Sequence, residues 1–360
     1  MMRTCKRIKP FTYIIILMIV NMILCFLIEP ARGSSAMMWE EYYAEDRIDT
    51  IFVGSSLCSA TFDPKVINEG VGVASFNMGT PMQVLKQNIT AVENAIKEHE
   101  IKTVVVGMGF FSLQEESVAE AELTFAKALA REKKGLDEVI ACLEYAFSEE
   151  VRDSEKSINF WFPWLYNYED YAWETIYKNI LSKIRIFKEG KIISDLKGYR
   201  PYEGVATEEQ IWEENSYYNN DQILRAELIT EFEKLLYLCT ESGADVIVIN
   251  TPHPAQDVVT CYEVYAENDS IIRKLCEKYD VDYYDFSLIK QDVFDSKLEY
   301  YYNYEHLNYE GSQVFSHVFC SFMQQREKGE DMNKYFYSVE EYMQLHKGLL
   351  EEWKTKQVRK

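Results

Sequence analysis

Five short apolar runs, interleaved with stretches of helical period, constrain this chain more than any other feature. Asp49-Thr-Ile-Phe-Val53 reads as a buried strand running into Gly54, and Val73-Ala-Ser-Phe-Asn77 as a second, shorter one. Lys102-Thr-Val-Val-Val-Gly107, Ala244-Asp-Val-Ile-Val-Ile-Asn250 and Asp280-Val-Asp-Tyr-Tyr-Asp-Phe286 read as the third, fourth and fifth. Thr80-Pro-Met-Gln83 looks like a helix start, with Thr80 as N-cap, Pro81 as first helical residue and Gln83 closing a capping box, and the helix runs to about Glu98. Further helices are predicted near 222–241 and 262–279 and from Tyr309 to Arg326, with an amphipathic one from Ser338 to Lys356. Apolar strands alternating with helices call for a parallel sheet covered on both faces. The expected class is therefore α/β.

Between the third and fourth strands, over about 113–225, the texture changes to mainly helical and aromatic-rich, which reads as an insertion or cap. Phe160-Trp-Phe-Pro-Trp164, followed by Tyr166, Tyr168, Tyr171 and Trp173, is its densest part. Aromatic rings fill cores and also stack on sugar faces, so a packed cap, a glycan platform and a docking face for a membrane partner all fit.

The N-terminus suggests a location. Arg3, Lys6, Arg7 and Lys9 precede an uncharged run from Phe11 to Ile28. As a helix that run spans ~27 Å, near the ~30 Å of a hydrocarbon core. The expectation is a cytoplasmic tail at 1–10, a transmembrane anchor at 11–28, a connector at 29–47, and everything beyond on the outer side. Ser34-Ser-Ala36 offers small residues for signal cleavage, but the apolar run exceeds the ~7–15 residues of a signal peptide. Met22-Ile-Leu-Cys25 is a poor lipidation site because Leu24 is too large before the cysteine.

Acids outnumber bases by 59 to 38, a net charge of −21, which excludes nucleic acid as a partner because phosphate binding needs a basic face. None of the eight cysteines shows C-x-x-C spacing, so no zinc site is expected. Cys58, Cys142, Cys239, Cys261, Cys276 and Cys320 are compatible with disulfides or with small buried hydrophobes.

In open parallel sheets ligands sit at the carboxyl ends of the strands. Three blocks fall there: Gly54-Ser-Ser-Leu57, Asn77-Met-Gly79 and Gly107-Met-Gly-Phe-Phe111. A serine on a strand-to-helix turn presents its hydroxyl to a cleft while its own N–H can bind an oxyanion. Gly79 lacks a Cβ, so its N–H could approach the same oxyanion. His306, in Asn303-Tyr-Glu-His-Leu-Asn-Tyr-Glu-Gly311, sits just before a helix capped by Asn308 and can reach the end of the sheet. Ser56 and His306 could thus meet as nucleophile and base. His253, in Thr251-Pro-His-Pro254, also follows a strand and is expected to line the cleft, as are Asn77, Gly109 and Tyr302. Tyr300, Tyr301 and Tyr304 crowd the same histidine. Cys58 is read as helix packing. His99, His317 and His346 lie in helical contexts with no partner pattern.

These blocks, in this order, resemble the SGNH/GDSL hydrolase superfamily. The likeness is closest to its membrane-anchored surface branch, related to the teichoic-acid D-alanylation protein DltD and the alginate O-acetylation proteins. The resemblance covers roughly 48–112 and 244–326. It implies a flavodoxin-like three-layer sandwich with a central parallel sheet of about five strands, an SGNH-like domain over 48–330, and a C-terminal amphipathic helix within 331–360. It also implies Ser56 as nucleophile, the N–H groups of Ser56 and Gly79 as oxyanion donors, and His306 as base. The implied activity is acyl transfer or ester hydrolysis on cell-surface glycans or teichoic-type polymers, with a membrane O-acyltransferase as possible partner and no metal or organic cofactor.

Two departures stand out. Met108 to Phe111 replace the family's Gly-x-Asn-Asp pattern after the third strand. More seriously, Asn303 stands where the family has the aspartate that orients the histidine. Asparagine can hold an imidazole but cannot stabilise imidazolium with a full charge. In Ser-His-Asp proteases that exchange costs ~10⁴ in kcat, largely through the wrong tautomer. Asp292, Asp295 and Glu305 are nearby carboxylates, with Glu305, adjoining the histidine, expected to point elsewhere. The alternative expectation is a weak or inactive member of the fold that binds glycan or assists a membrane acyltransferase.

Overall fold

The computed structural model describes residues 10–28, 31–109, 111–114, 119–133, 135–148, 151–152, 162, 164, 173–214 and 224–358. Contacts divide the chain into two compact units: Met1–Ala36 with Leu123–Ile193, and Met37–Glu122 with Ser194–Lys360.

In chain order, α1 (Pro10–Ile28) and α2 (Ser34–Tyr42) precede β1 (Thr50–Gly54). Two short helices, α3 (Ser56–Thr61) and α4 (Pro64–Val71), lead to β2 (Ser75–Asn77), and α5 (Leu85–Glu98) leads to β3 (Thr103–Met108). Then come α6 (Ala119–Glu132), α7 (Leu136–Ala146), α8 (Trp173–Glu189), α9 (Glu208–Glu214) and α10 (Ala226–Glu241), followed by β4 (Asp245–Asn250). Next, α11 (Ala255–Thr260) and α12 (Tyr262–Lys278) lead to β5 (Asp282–Asp285). The chain closes with α13 (Tyr309–Glu327), α14 (Val339–Leu345) and α15 (Lys347–Val358).

The five strands form one parallel sheet in the order β2-β1-β3-β4-β5, the doubly wound order whose ligand crevice lies at the carboxyl edge. The register aligns the strand ends: Gly54 faces Gly107, and Met108 faces Asn250. On one face α4 packs against α13; α5 and α12 lie elsewhere, with α5 against α10 and β1 and with α12 on β5. Phe52 stacks on Phe62 at 4.6 Å, Phe315 and Phe319 meet this pair edge to face, and Phe286 meets Phe315 edge to face in turn. Each such ring contributes about 1.5–3 kcal/mol on burial, which holds α13 against the sheet.

The close seat of α3 depends on two glycines. A Cβ on Gly54 would lie 2.5 Å from Gly107 O and 2.7 Å from Cys58 Cβ, and one on Gly107 would lie 3.1 Å from Cys58 Cβ. Their absence lets Cys58 press onto the ends of β1 and β3. Asn77 then ties β2 to α3: its amide donates to Cys58 O and Phe62 O, both at 3.0 Å.

Two helix boundaries differ from expectation. Thr80–Gln83 is a turn, and α5 begins at Leu85. Met82 has φ of 58°, a left-handed conformation that cannot continue a helix, and Thr80 Oγ1 donates to the Gln83 side chain instead. The capping glutamine is Gln87, whose Oε1 accepts from Val84 N at 2.7 Å. The C-terminal amphipathic helix is broken in two at His346, whose φ and ψ of −98° and 19° leave helical geometry just before Gly348.

In the unit Met1–Ala36 with Leu123–Ile193, α1 packs along α8. Asn179 Nδ2 donates to Ile28 O at 3.1 Å, Lys183 lies 4.9 Å from the Phe26 ring centre, and Trp164 Nε1 donates to Asn21 Oδ1 at 2.8 Å. Among the described residues no helix is long and apolar enough to cross a membrane, so the span expected at 11–28 is not borne out as such; that run forms α1, whose apolar side chains are largely exposed. Of the aromatic block, Phe162, Trp164 and Trp173 are described, with Trp173 exposed; its other members lie outside the described residues. Among the described residues the cysteines are free thiols.

Candidate active site

Ser56 is the first residue of α3, directly after β1. Ser55 caps the helix, its Oγ accepting from Leu57 N at 3.3 Å, which turns the chain sharply and leaves Ser56 half-buried at the sheet edge. As the first helical residue, Ser56 carries an N–H with no partner inside the helix.

His306 reaches the same point from the far end of the chain. Its loop is pinned by Tyr302 N donating to His306 O at 2.8 Å and by Asn308. Asn308 caps α13 through Gly311 N and donates its amide to Gly204 O and Glu299 O. Gly311 is needed here, because a Cβ would lie 2.2 Å from Tyr300 O. The result sets His306 Nε2 2.8 Å from Ser56 Oγ.

The other ring nitrogen settles the proton arrangement. Asn303 Oδ1 lies 3.0 Å from His306 Nδ1 and also accepts from His306 N at 2.8 Å and Glu305 N at 3.1 Å. Two backbone donors fix that oxygen, not the amide nitrogen, toward the ring. Nδ1 must then carry the hydrogen, leaving Nε2 free to accept from the Ser56 hydroxyl. The tautomer error that accompanies an Asp→Asn exchange is avoided by the backbone.

Glu305 does not point elsewhere, contrary to expectation: its Oε1 lies 3.4 Å from His306 Nδ1, with its side chain only 17% exposed. Asp292 and Asp295 are exposed, and Asp295 pairs with Lys297 at 3.4 Å.

Tyr202 covers the imidazole at 4.8 Å, and Tyr302 stacks on Tyr202 at 4.7 Å. Burial lowers the His306 pKa to about 3, and the His253 imidazole pushes in the same direction. Burial, with Glu305 and Tyr302 nearby, raises the Tyr202 phenol.

The remaining expected residues are placed less simply. Tyr302 is exposed at the rim of the site. Gly79 lies against α3, where a Cβ would be 2.9 Å from Ser55 O, but its N–H donates to Asn77 Oδ1 at 3.1 Å. Gly109 N similarly donates to Ser112 Oγ at 2.8 Å. Asn77 and His253 do not line a cleft. Asn77 is fully buried in the clamp described above, and His253 is buried with Nδ1 2.8 Å from Asp257 Oδ2. Burial lowers the His253 pKa to about 3 and raises that of Asp257, which favours a neutral hydrogen-bonded pair. Cys58 is buried and its thiol pushed up by burial, away from nucleophilic chemistry.

Sequence reasoning missed Tyr202. It lies in the long stretch between β3 and β4 and carries no motif. Arg200 N donating to Ser59 O at 2.8 Å and Tyr309 N donating to Tyr202 O at 2.8 Å bring it to the site.

Fold and site together define an α/β protein with a serine–histidine–asparagine relay at the carboxyl edge of a parallel sheet. No protein-family model matches the chain, and no curated protein does. Solved structures similar to it include a Bacteroides fragilis protein provisionally described as an acylhydrolase, at 10% identity and a TM-score of 0.37, over 82% of this chain and 93% of that one. Another is a Streptococcus pneumonia protein provisionally described as a platelet activating factor, at 9% identity and a TM-score of 0.36, over 85% of this chain and 99% of that one.

Proposed function

We propose that this protein is an SGNH-type serine O-acyltransferase or esterase, anchored at the outer face of the cell membrane, that acts on O-acyl groups of cell-surface glycans or teichoic-type polymers. The observation that carries the chemistry is the 2.8 Å contact between Ser56 Oγ and His306 Nε2, with the opposite ring nitrogen donating to Asn303. Ser56 Oγ attacks the acyl carbonyl carbon as its proton passes to Nε2. The carbonyl π electrons move onto oxygen, where the Ser56 N–H stabilises the charge. Collapse breaks the bond to the leaving alkoxide, which takes the proton from His306 and leaves an acyl-serine. A polymer hydroxyl or water, deprotonated by His306, then attacks the acyl-serine and frees Ser56. Gly79 adds a second donor where its N–H shares between Asn77 and the oxyanion.

The surface location is supported by the basic tail and the uncharged run 11–28, and the polymer substrate by the family resemblance of the motif blocks. A second reading, a catalytically weak protein that binds glycan or assists a membrane O-acyltransferase, draws on Asn303 in place of an aspartate.

The test is fluorophosphonate labelling of the purified full chain, with the adduct mapped by mass spectrometry. An adduct on Ser56 that disappears in Ser56→Ala supports the reading. No adduct in the wild type, or one that survives the substitution, overturns it.

A further inference from the structure

We propose that Glu305 supplies His306 with the negative charge that Asn303 lacks, so that two side chains share the work one aspartate would do. Asn303 selects the tautomer, and Glu305 stabilises the imidazolium that forms during acyl transfer. The inference rests on the reading of Ser56 and His306 as nucleophile and base.

The geometry points to this division. Asn303 Oδ1 accepts from Nδ1 at 3.0 Å along with two backbone N–H groups, so it orients the ring without adding charge. Glu305 Oε1 stands 3.4 Å from the same nitrogen. A carboxylate on a surface loop would ordinarily extend into water, yet this one is 17% exposed and turned toward the ring. As Nε2 takes the serine proton the ring acquires a full positive charge beside that carboxylate, and Coulomb attraction at this distance is strong where water is largely excluded. The interaction grows only as the imidazolium forms, so it favours the transition state over the resting state.

The other groups facing the ring cannot take this role. Ser56 is the proton donor. Tyr202 and Tyr302 are phenols, and the Tyr202 phenol is held neutral by burial. His253 acts in the opposite direction, lowering the basicity of His306. Glu305 is the carboxylate whose contact with the imidazole the structure records. Because it acts through His306 and not on substrate, it is a positioning residue.

The experiment compares wild type, Glu305→Gln, Asn303→Asp/Glu305→Gln and Ser56→Ala as purified full chains. It measures p-nitrophenyl acetate turnover and fluorophosphonate labelling across pH. Glu305→Gln should lower kcat about tenfold to hundredfold with KM changed less than about twofold. Asn303→Asp in the Glu305→Gln background should recover most of the loss, since the charge returns on the other side chain. The proposal is overturned if Glu305→Gln keeps the wild-type kcat. It is equally overturned if activity falls and Asn303→Asp restores nothing, the signature of a purely structural role. Labelling that persists in Ser56→Ala would instead overturn the nucleophile assignment, a separate outcome.

Discussion

Ser56 Oγ and His306 Nε2 lie 2.8 Å apart across 250 residues of sequence. Neither side chain is brought there by local structure. β1 is an interior strand of the sheet, so the turn after it opens within the carboxyl edge, between those of β2 and β3. α13 packs against α3 and α4, so the loop before α13 ends above that turn. His306→Ala should therefore lower ester turnover by about 10²–10⁴ with little change in fold. Circular dichroism and p-nitrophenyl acetate kinetics check this, and wild-type turnover in the variant would remove His306 from the mechanism.

Asn303 offers a sharper contrast. Asn303→Ala strips the acceptor from Nδ1 and from two backbone N–H groups, so the ring loses its tautomer control. A drop of about 10²–10⁴ in kcat is expected, comparable to losing the orienting residue of a triad. Asn303→Asp keeps the acceptor and adds charge, so kcat should hold or rise. Steady-state kinetics on both variants separates orientation from charge, and equal losses in the two would contradict it.

The pH profile of kcat/KM reports the base in the free enzyme. Burial lowers His306 to about 3, so it remains unprotonated, and competent, well below the ordinary imidazole range. The acid limb should accordingly lie far below pH ~6.5. Tyr202→Ala admits water to the ring face and weakens the burial that depresses the pKa, which moves the limb toward higher pH. A wild-type limb at the ordinary imidazole value would show that burial does not govern the base.

Gly54→Ala places a methyl group 2.5 Å from Gly107 O and 2.7 Å from Cys58 Cβ. Overpacking of this kind costs about 1–3 kcal/mol, and here it also pushes α3, and Ser56 with it, off the sheet edge. Both a lower Tm and a lower kcat are expected, measured by thermal denaturation and ester turnover. An unchanged Tm would mean that α3 is not seated as described.

Iodoacetamide should leave Cys58 unmodified in the folded protein and alkylate it after denaturation, because burial both shields the thiol and raises its pKa. Peptide mapping distinguishes it from half-buried Cys142.

What the sequence determined by itself was whatever local pattern encodes. Apolar runs at strand length placed all five strands to within about two residues, a typical margin for element boundaries. The Ser-Ser turn after β1 and the Asn-x-x-His block before α13 identified the two ends of the site. Met82 and His346 escaped because a single residue's dihedral angles delayed or broke a helix whose residue pattern continued. Tertiary structure alone decided the side-chain directions. Two backbone N–H groups fix the Asn303 oxygen on the imidazole, and Glu305 Oε1 lies 3.4 Å from the same ring nitrogen. Asn77 and His253 were expected to face a cleft but are buried, and the Gly79 N–H donates to Asn77 Oδ1. Residue identity limits which hydrogen bonds and charges are available, but only the folded chain sets which donor and acceptor meet. For that reason the serine and histidine were legible in the sequence, whereas the tautomer and the source of the missing charge required the structure.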